Sequence, residues 1–430
     1  MGTCDTAKSG THLACIVPAI VLLLAFALRL GGLTSESLWI DEGYSIVLAD
    51  HSIPDVVRGT IADQHPPLYY VLLHFWQELG RSDFHVRYLS VLFGFLGVAA
   101  CFPLAQTLFG KNVALVSLIV VAISPMHIWY SQEARMYVLL SLLVTLSVYF
   151  FVCVLEGRQT WLQYGLLMLM CLYTHNYAVF ILLVQNALVL LALAKRLVSA
   201  RLFGLWLVCQ ALIAALYAVW LPIVLYQSRE HQMTWLASPS ISVLRGTLDW
   251  LLLGASGVQP TSVVWFLIVL LLGVVASSQR HRLEQVTVML VWGFLPLIVS
   301  FLLSQFYPVF QPKQFLMVLP ALAILTALAM RGLAPVPRLL FTSMLLAYNV
   351  AGLSSMYMSH TKHDWRGVAI RISGQYRDGD VLYSNPAAGM LTLNRYLTQQ
   401  MPYDGYPPEY DIIRGGWAGE LVSPDAPVRL

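Results

Sequence analysis

The sequence is short of charge. Only 11% of its 430 residues are Asp, Glu, Lys or Arg, whereas 58% are hydrophobic and the mean hydropathy is +0.70. Soluble proteins carry about 25% charged residues. A chain with so little charge is one that is solvated mainly by lipid, which excludes an ordinary soluble enzyme. The net charge of +3 is small and dispersed, and this argues against nucleic-acid binding.

The chain also lacks several common site patterns. Its six cysteines lie mostly inside apolar runs and form no CxxC pair, which argues against a disulfide framework or a zinc knuckle. The P-loop, GxGxxG, GxSxG and HExxH patterns do not occur in the sequence. Nothing therefore predicts a nucleotide-phosphate loop, a serine hydrolase or a zinc peptidase.

Long apolar runs are what the sequence has in quantity, and about eleven are long enough to span a membrane. The first is expected to be a membrane span and not a removed signal peptide, because no convincing cleavage site follows it. Three further apolar segments, 38–50, 66–78 and 246–258, are too short to span, and each carries a Trp as interfacial helices do. The predicted spans are roughly 13–32, 88–109, 112–129, 137–155, 160–174, 177–194, 202–226, 261–279, 285–304, 314–330 and 339–357.

Charged residues return after the last apolar run. We therefore predict a transmembrane catalytic domain over 1–357, with a first extracytoplasmic loop at about 33–86, and a small aqueous segment over 358–430. Within that segment, Gly379–Tyr383 reads as a short strand and 384–386 as a turn.

The loops predict the orientation. If the N-terminus is cytoplasmic, the basic cluster Lys195, Arg196 and Arg201 and the pair Arg280 and Arg282 all face the cytoplasm, as the positive-inside rule requires. The segments with unusual polar residues then share the extracytoplasmic side. This convergence predicts a site on that face of the plasma membrane.

The strongest candidate for chemistry is the adjacent acidic pair Asp41 and Glu42, just after the first span. An acidic pair in such an apolar setting costs free energy unless it is solvated, paired with cations or required for function. One acid can serve as a general base towards a hydroxyl nucleophile while the other orients it. The alternative is that the pair only caps an interfacial helix that begins after Ser37.

Other candidates lie in the same predicted face, each with a plain alternative. His65 precedes two prolines and is either a ligand of a phosphate or hydroxyl, or simply solvated. Arg135 either pairs with Glu133 or grips a lipid phosphate. Lys313 is a cation on the predicted extracytoplasmic side, where the positive-inside rule disfavours positive charge. Contact with an anionic ligand or with lipid head groups would explain its position. The stretch 362–366 reads as the solvated start of a helix.

The ordered set of motifs resembles bacterial glycosyltransferase family 39. These proteins are relatives of the dolichyl-phosphate-mannose protein mannosyltransferases and of the aminoarabinose transferase of lipid A. The resemblance covers nearly the whole chain and is strongest over 36–140. The motifs are Leu-Trp-Ile-Asp-Glu (38–42), His-Pro-Pro-Leu-Tyr-Tyr (65–70), Val-Arg-Tyr-Leu-Ser (86–90) and the stretch 124–137. The stretches 362–367 and 378–381 also look like the region that follows the membrane spans in that family.

The resemblance implies a GT-C fold, an all-α polytopic bundle with interfacial helices in its first extracytoplasmic loop. It also implies inverting sugar transfer from a polyprenyl-phosphate donor, with Asp41 as the catalytic carboxylate and Glu42 as its companion. The acceptor is left open between a lipid, a glycan, a small molecule and a protein. A divalent cation would help with the phosphate but is not required, and the sequence has no strong metal set. Residues expected to bind the donor or substrate are His65, Arg87, Glu133, Arg135, His175 and Lys313.

Two other functions stay open from the sequence. A transporter or lipid-carrier flippase is also polytopic, although it favours internal repeats and polar residues at the bilayer midplane. A non-catalytic scaffold, in which Asp41 is only a helix cap, is the second.

Overall fold

The computed structural model describes residues 5–230, 237–254, 260–278, 283–359, 362–377, 389–397, 410–411 and 416–417. This part of the chain is almost wholly helical, apart from a 3₁₀ segment, Pro312–Val318, and two short antiparallel strands, β1 (Tyr410–Asp411) and β2 (Gly416–Trp417). The helices are α1 (Asp5–Leu30), α2 (Ile40–Ala49), α3 (Ile53–Ala62), α4 (Leu68–Gln77), α5 (Asp83–Phe109), α6 (Lys111–Ile123), α7 (Pro125–Ser131), α8 (Tyr137–Leu155), α9 (Trp161–Thr174), α10 (Ala178–Ala194), α11 (Ala200–Tyr217), α12 (Leu221–Glu230), α13 (Ile241–Leu253), α14 (Pro260–Ser278), α15 (Leu283–Leu303), α16 (Leu319–Gly332), α17 (Pro335–Met358), α18 (Trp365–Gln375) and α19 (Gly389–Tyr396).

Six helices in the described residues are long and apolar enough to cross a membrane, or seven if the bent pair α6–α7 is one span. Four shorter apolar helices, Ile16–Leu30, Trp161–Thr174, Ala178–Ala194 and Ser262–Ser278, coincide with further predicted spans. Six spans, one bent pair and four shorter helices together equal the eleven expected segments. The protein is thus a multi-pass membrane protein, and the count of eleven crossings stays a prediction.

The bend between α6 and α7 interrupts the predicted span 112–129. The two helices meet at 59°. Pro125 opens α7, and the preceding Ser124 is extended, with φ −63° and ψ 117°. A residue before proline avoids the helical region, and proline has no N–H to continue the hydrogen-bond ladder. The single predicted helix is therefore two.

The segments predicted as too short to span are helical where the structure describes them, as α2, α4 and the greater part of α13. Helix α3 was not predicted, because its ten residues contain Pro54, Asp55, Arg58 and Gly59 and show little apolar character. The predicted strand at Gly379–Tyr383, its turn, and the basic pair Arg280 and Arg282 lie outside the described residues.

The chain divides into two compact units. The first contains 1–31, 90–132 and 136–359. In it α16 packs against α14, α6 and α15, and α8 packs against α9. Of the most apolar residues in Pro312–Gly332, which comprises the 3₁₀ segment and α16, 89% are buried, whereas the corresponding share in α11 is only 11% and this helix exposes Leu205, Leu212 and Leu216. Apolar side chains exposed in this number are typical of contact with lipid.

The second unit contains 32–89, 133–135 and 360–430. Within it α2 packs against α3, α4 and α19, and α18 packs against α19. A small core joins Ala369, Met390 and Leu393, with Trp365 and Ile372 at its edge. The residues after the last apolar helix thus group with the predicted first loop, an association that the sequence did not predict. The domain bounds 1–357 and 358–430 stay a prediction.

Candidate active site

The acidic pair lies in the first turn of α2, in the second unit. Glu42 reaches back to accept a hydrogen bond from the backbone N–H of Trp39 at 3.2 Å, which satisfies one of the unpaired N–H groups at the start of the helix. The two side chains have different surroundings. Glu42 is fully buried, whereas Asp41 is half-buried.

Glu42 is held by a two-pronged ion pair with Arg87 of α5. The Nε of Arg87 donates to Oε1 at 2.8 Å, and its Nη2 donates to Oε2 at 2.7 Å. The remaining N–H groups of Arg87 donate to the backbone carbonyls of Leu33, Glu36 and Ser37 at 2.8–2.9 Å. All five N–H groups of the guanidinium therefore have acceptors inside the protein.

Two more groups complete the surroundings of Glu42. The backbone N–H of Ala134 donates to Oε1 at 2.9 Å. The ammonium of Lys362 lies 3.5 Å from Oε2 of Glu42 and 3.4 Å from Oε1 of Glu133. Burial by itself raises the pKa of Glu42, but the positive charges of Arg87 and Lys362 outweigh it and lower the pKa to about 2. Glu42 is therefore an anion at any physiological pH.

Arg135 is buried and contacts the backbone of Asp41, the other member of the acidic pair. Its Nη1 donates to the backbone carbonyl of Asp41 at 3.3 Å and to the hydroxyl of Ser45 at 2.9 Å. It also donates to the hydroxyl of Tyr70 at 3.3 Å. The Tyr70 hydroxyl donates in turn to Oδ2 of Asp63 at 2.8 Å. Arg135 thus ties the first turn of α2 to α4.

His65 belongs to the same network. Its Nδ1 lies 3.1 Å from Oδ2 of Asp63, and both side chains are largely buried. Burial raises the pKa of Asp63, but the neighbouring His65 and Arg135 lower it well below its usual range. The prolines after His65 keep the 64–67 segment out of a helix, so that α4 begins only at Leu68.

Two predicted site residues lie in the first unit instead. Lys313, in the 3₁₀ segment, places its ammonium 5.4 Å from the centre of the Tyr137 ring. His175, at the end of α9, accepts from the backbone N–H of Tyr177 at 3.1 Å through Nδ1, and its ring lies 6.2 Å from that of Tyr137. Tyr137, His175 and Tyr177 are buried, whereas Lys313 is half-buried.

The structure brings together six of the eight predicted site residues in the second unit, and it adds three that sequence reasoning did not select. Lys362 was interpreted as the solvated start of a helix, and this was wrong, because its side chain is only 7% exposed and carries two ion pairs. Asp63 and Tyr70 were also missed, although both flank the noted His-Pro-Pro motif. The six are Asp41, Glu42, His65, Arg87, Glu133 and Arg135. Within the described residues no three His, Cys, Asp or Glu side chains group as a metal site.

This arrangement belongs to a recognisable class of fold. Residues 64–223 match the family model described as dolichyl-phosphate-mannose-protein mannosyltransferase. That match and the likeness to solved structures confirm the resemblance predicted from the sequence at the level of the superfamily. The chain has the GT-C glycosyltransferase fold.

Similar solved structures include those of two enzymes. ArnT from Cupriavidus metallidurans in the apo state is 17% identical, with a TM-score of 0.60. The alignment includes 90% of this chain and 85% of the ArnT chain. ArnT bound to undecaprenyl phosphate is 15% identical, with the same coverage and a TM-score of 0.57. The Archaeoglobus fulgidus oligosaccharyltransferase in its apo form is 13% identical over 94% of this chain and 64% of that one, with a TM-score of 0.56. No curated protein sequence matches significantly.

Proposed function

We propose that this protein transfers a sugar from a polyprenyl-phosphate donor to a hydroxyl acceptor, with inversion, at the extracytoplasmic face of the plasma membrane. The observation that carries the proposal is the difference in burial and hydrogen bonding between two adjacent carboxylates. Glu42 is fully buried and accepts hydrogen bonds from four N–H groups, whereas Asp41 is half-buried on the same helical turn. A general base must be within reach of its substrate, so we assign this role to Asp41.

The proposed reaction is a single displacement. Asp41 takes the proton of the acceptor hydroxyl while that oxygen forms a bond to the anomeric carbon. The bond between the anomeric carbon and the phosphate oxygen breaks, and the polyprenyl phosphate leaves with the electron pair. One carboxylate is enough for this geometry, which inverts the anomeric centre.

The leaving phosphate requires nearby positive charge. We propose Arg135 for this role, because its guanidinium already contacts the backbone of Asp41. Lys313, His65 and His175 remain proposed substrate contacts. Arg87 and Glu133 are better assigned to the support of Glu42, since every N–H of Arg87 bonds within the protein and Glu133 pairs with Lys362.

The similar proteins support a lipid-linked donor. One ArnT structure contains undecaprenyl phosphate, and one structure of the archaeal oligosaccharyltransferase AglB contains dolichol-phosphate and an inhibitory peptide. Both ligands are polyprenyl phosphates. A donor of this class is bound by cations at a membrane. Its binding does not require a nucleotide-phosphate loop, and the sequence contains none.

The test is sugar transfer by the purified protein in detergent. We expect transfer from an undecaprenyl-phosphate sugar and none from a nucleotide sugar. Efficient use of a nucleotide sugar with no lipid carrier would overturn the proposal. Movement of the carrier lipid across vesicles without any sugar transfer would instead favour the flippase alternative.

A further inference from the structure

Lys362 is buried between two carboxylates. Its ammonium lies 3.5 Å from Glu42 and 3.4 Å from Glu133, and the side chains are 7%, 0% and 1% exposed respectively. Lysine and glutamate are almost never buried to this degree unless they are paired. A buried charge that loses its partner is strongly destabilising. Lys362 is therefore held in its buried position by charge pairing as well as by packing.

The four charged side chains that pair with one another here balance. Arg87 and Lys362 carry two positive charges, and Glu42 and Glu133 carry two negative charges. We call these four residues the charge cluster. Removal of Lys362 takes a cation away from both buried carboxylates, whereas removal of Arg87 takes one from Glu42, and the loss of a positive neighbour favours protonation of a buried carboxylate. Neutrality thus depends on a residue that follows the last apolar helix.

The backbone around Lys362 is fixed to the segment that precedes α2. The N–H of Lys362 donates to Oε1 of Glu36 at 3.2 Å. The hydroxyl of Ser37 donates to the carbonyl of His363 at 2.7 Å and accepts from the N–H of Trp365 at 3.0 Å. The carboxylate of Asp364 then caps α18 by accepting from Gly367 at 2.9 Å. These bonds hold the lysine in register with the acidic pair.

A second attachment lies on the other side of the acidic pair. Asp83 accepts hydrogen bonds from Tyr396 at 2.6 Å, Arg395 at 3.0 Å and Arg366 at 3.3 Å. The same Tyr396 hydroxyl accepts from the N–H of Leu38 at 2.8 Å. Two separate parts of the segment after residue 360 therefore bind the residues just before Asp41.

We propose that Lys362 is a positioning residue of the active site. It keeps Glu42 and Glu133 ionised and in place, and Glu42 in turn fixes the helical turn that presents Asp41. This inference rests on the proposed function for its catalytic readout. It adds that the segment after the last apolar helix contributes to the site through one buried positive charge.

The test is a charge-balance cycle with Lys362→Met, Glu133→Gln and the double variant. We expect K362M to lower kcat at neutral pH by about 10- to 100-fold with little change in donor KM, the scale of a misplaced catalytic group. E133Q leaves one surplus positive charge and should also slow the reaction. The double variant is neutral again, so we expect it to be about tenfold faster than K362M alone.

The pH profile separates charge from packing. In K362M a carboxylate pKa rises, and protonation at lower pH restores neutrality. The deficit of K362M relative to wild type should therefore grow as pH rises, and this pH dependence should disappear in the double variant. K362R should keep most of the activity. Arg371→Met is the matched control, since it removes an exposed cation from α18 in the same segment and should change nothing.

A second readout does not depend on activity. We expect K362M to unfold about 5 °C lower than wild type near pH 8, with a smaller shift near pH 5, and E133Q to reverse part of the loss. Additive losses in the double variant, or a K362M protein with the pH profile and stability of R371M, would overturn the inference. Failure of sugar transfer in wild type with this stability pattern intact would refute the proposed function alone.

Discussion

Two fully buried arginines, one in each unit, show two different uses of the same side chain. Arg29 in α1 and Arg87 in α5 are 0% and 2% exposed. The acceptors of Arg29 are neutral, namely the carbonyls of Ala25, Val121 and Ala122 and the Nδ1 of His127. Arg87 instead binds a carboxylate, Glu42, with two prongs.

Two of the neutral acceptors of Arg29, the carbonyls of Val121 and Ala122, lie at the break between α6 and α7. In a continuous helix the carbonyl of Val121 would accept from the N–H of residue 125, but that residue is proline and has none. Arg29 donates to this carbonyl at 3.3 Å and to that of Ala122 at 3.1 Å. It therefore supplies donors to two carbonyls at the bend, of which that of Val121 also accepts from the N–H of Ser124 at 3.4 Å.

The comparison separates support of the backbone from support of a charge. Carbonyls that lose a donor cost the free energy of an unmade hydrogen bond, whereas a buried carboxylate that loses its cation costs considerably more. Arg29 is thus part of the scaffold in its own unit, and Arg87 is part of the proposed site in the other.

Arg87→Ala should have the largest effect on stability. It leaves Glu42 buried with a single cation, and we expect a loss of about 3–5 kcal/mol in the free energy of unfolding. Arg87→Lys should rescue little, because an ammonium cannot replace a planar fork with five N–H donors. Thermal unfolding in detergent measures both. A lysine variant as stable as wild type would contradict the assignment of Arg87 to Glu42.

Asp41→Asn should affect activity alone. We expect kcat to fall by about 10²-fold or more, equivalent to about 2.7 kcal/mol in the activation barrier, without a change in stability. Glu42→Gln is the matched comparison, since it should lower stability as well. Steady-state transfer and unfolding are measured on the same preparations. Near-normal turnover of the Asn variant would end the assignment of Asp41 as the base.

Stability at low pH should depend on the Glu42 site and not on the Arg29 site. The pKa of Glu42 is lowered from about 4.5 to about 2, so its stabilisation is complete above pH 4.5 and is lost as the pH falls towards 2. Glu42→Gln should flatten this part of the curve, whereas Arg29→Met should leave its shape unchanged. Thermal unfolding at several pH values between about 2 and 7 tests this.

Arg29→Met should be milder than Arg87→Ala. It removes a buried charge together with its hydrogen bonds, and we expect a loss of about 1–3 kcal/mol from the hydrogen bonds lost at the bend. Sugar transfer per folded molecule should remain close to that of wild type. A loss of stability equal to that of Arg87→Ala would show that the two arginines do not differ as the contacts indicate.

The smallest perturbation concerns topology. Cysteines at the exposed positions Arg58 and Arg371 should react with an impermeant reagent from outside the cell, and a cysteine at Lys195 should react only from the cytoplasm. None should change stability or transfer appreciably. Labelling of positions 58 and 371 from opposite sides would refute the predicted orientation.

The sequence predicted much of the helical framework because hydropathy is a local property. Each predicted span coincides with at least one apolar helix, although 112–129 and 202–226 each proved to be two. Proline explains the first break, since the residue before it cannot continue a helix. Helix α3 was missed because its ten residues are too polar to stand out in a hydropathy profile.

The candidate site was less accessible from the sequence. The acidic pair, Arg87 and Arg135 were selected from local motifs. Lys362 was interpreted as solvated, because a lysine shortly after a long apolar run has no local signal of burial. Asp63 was passed over for a similar reason, since an acid near a proline-rich turn usually faces water.

Composition and local pattern are enough to predict the membrane class, the positions of the apolar helices and the two adjacent acids near the first span. These follow from composition and from contacts between residues a few positions apart. Only the tertiary structure decided which acid is enclosed and which is accessible. That outcome depends on Arg87, 45 residues from Glu42, and on Ala134, 92 residues away, whose donors meet one carboxylate only when the chain is folded. A charge enters the interior only with its partners, and the fold selects the partners.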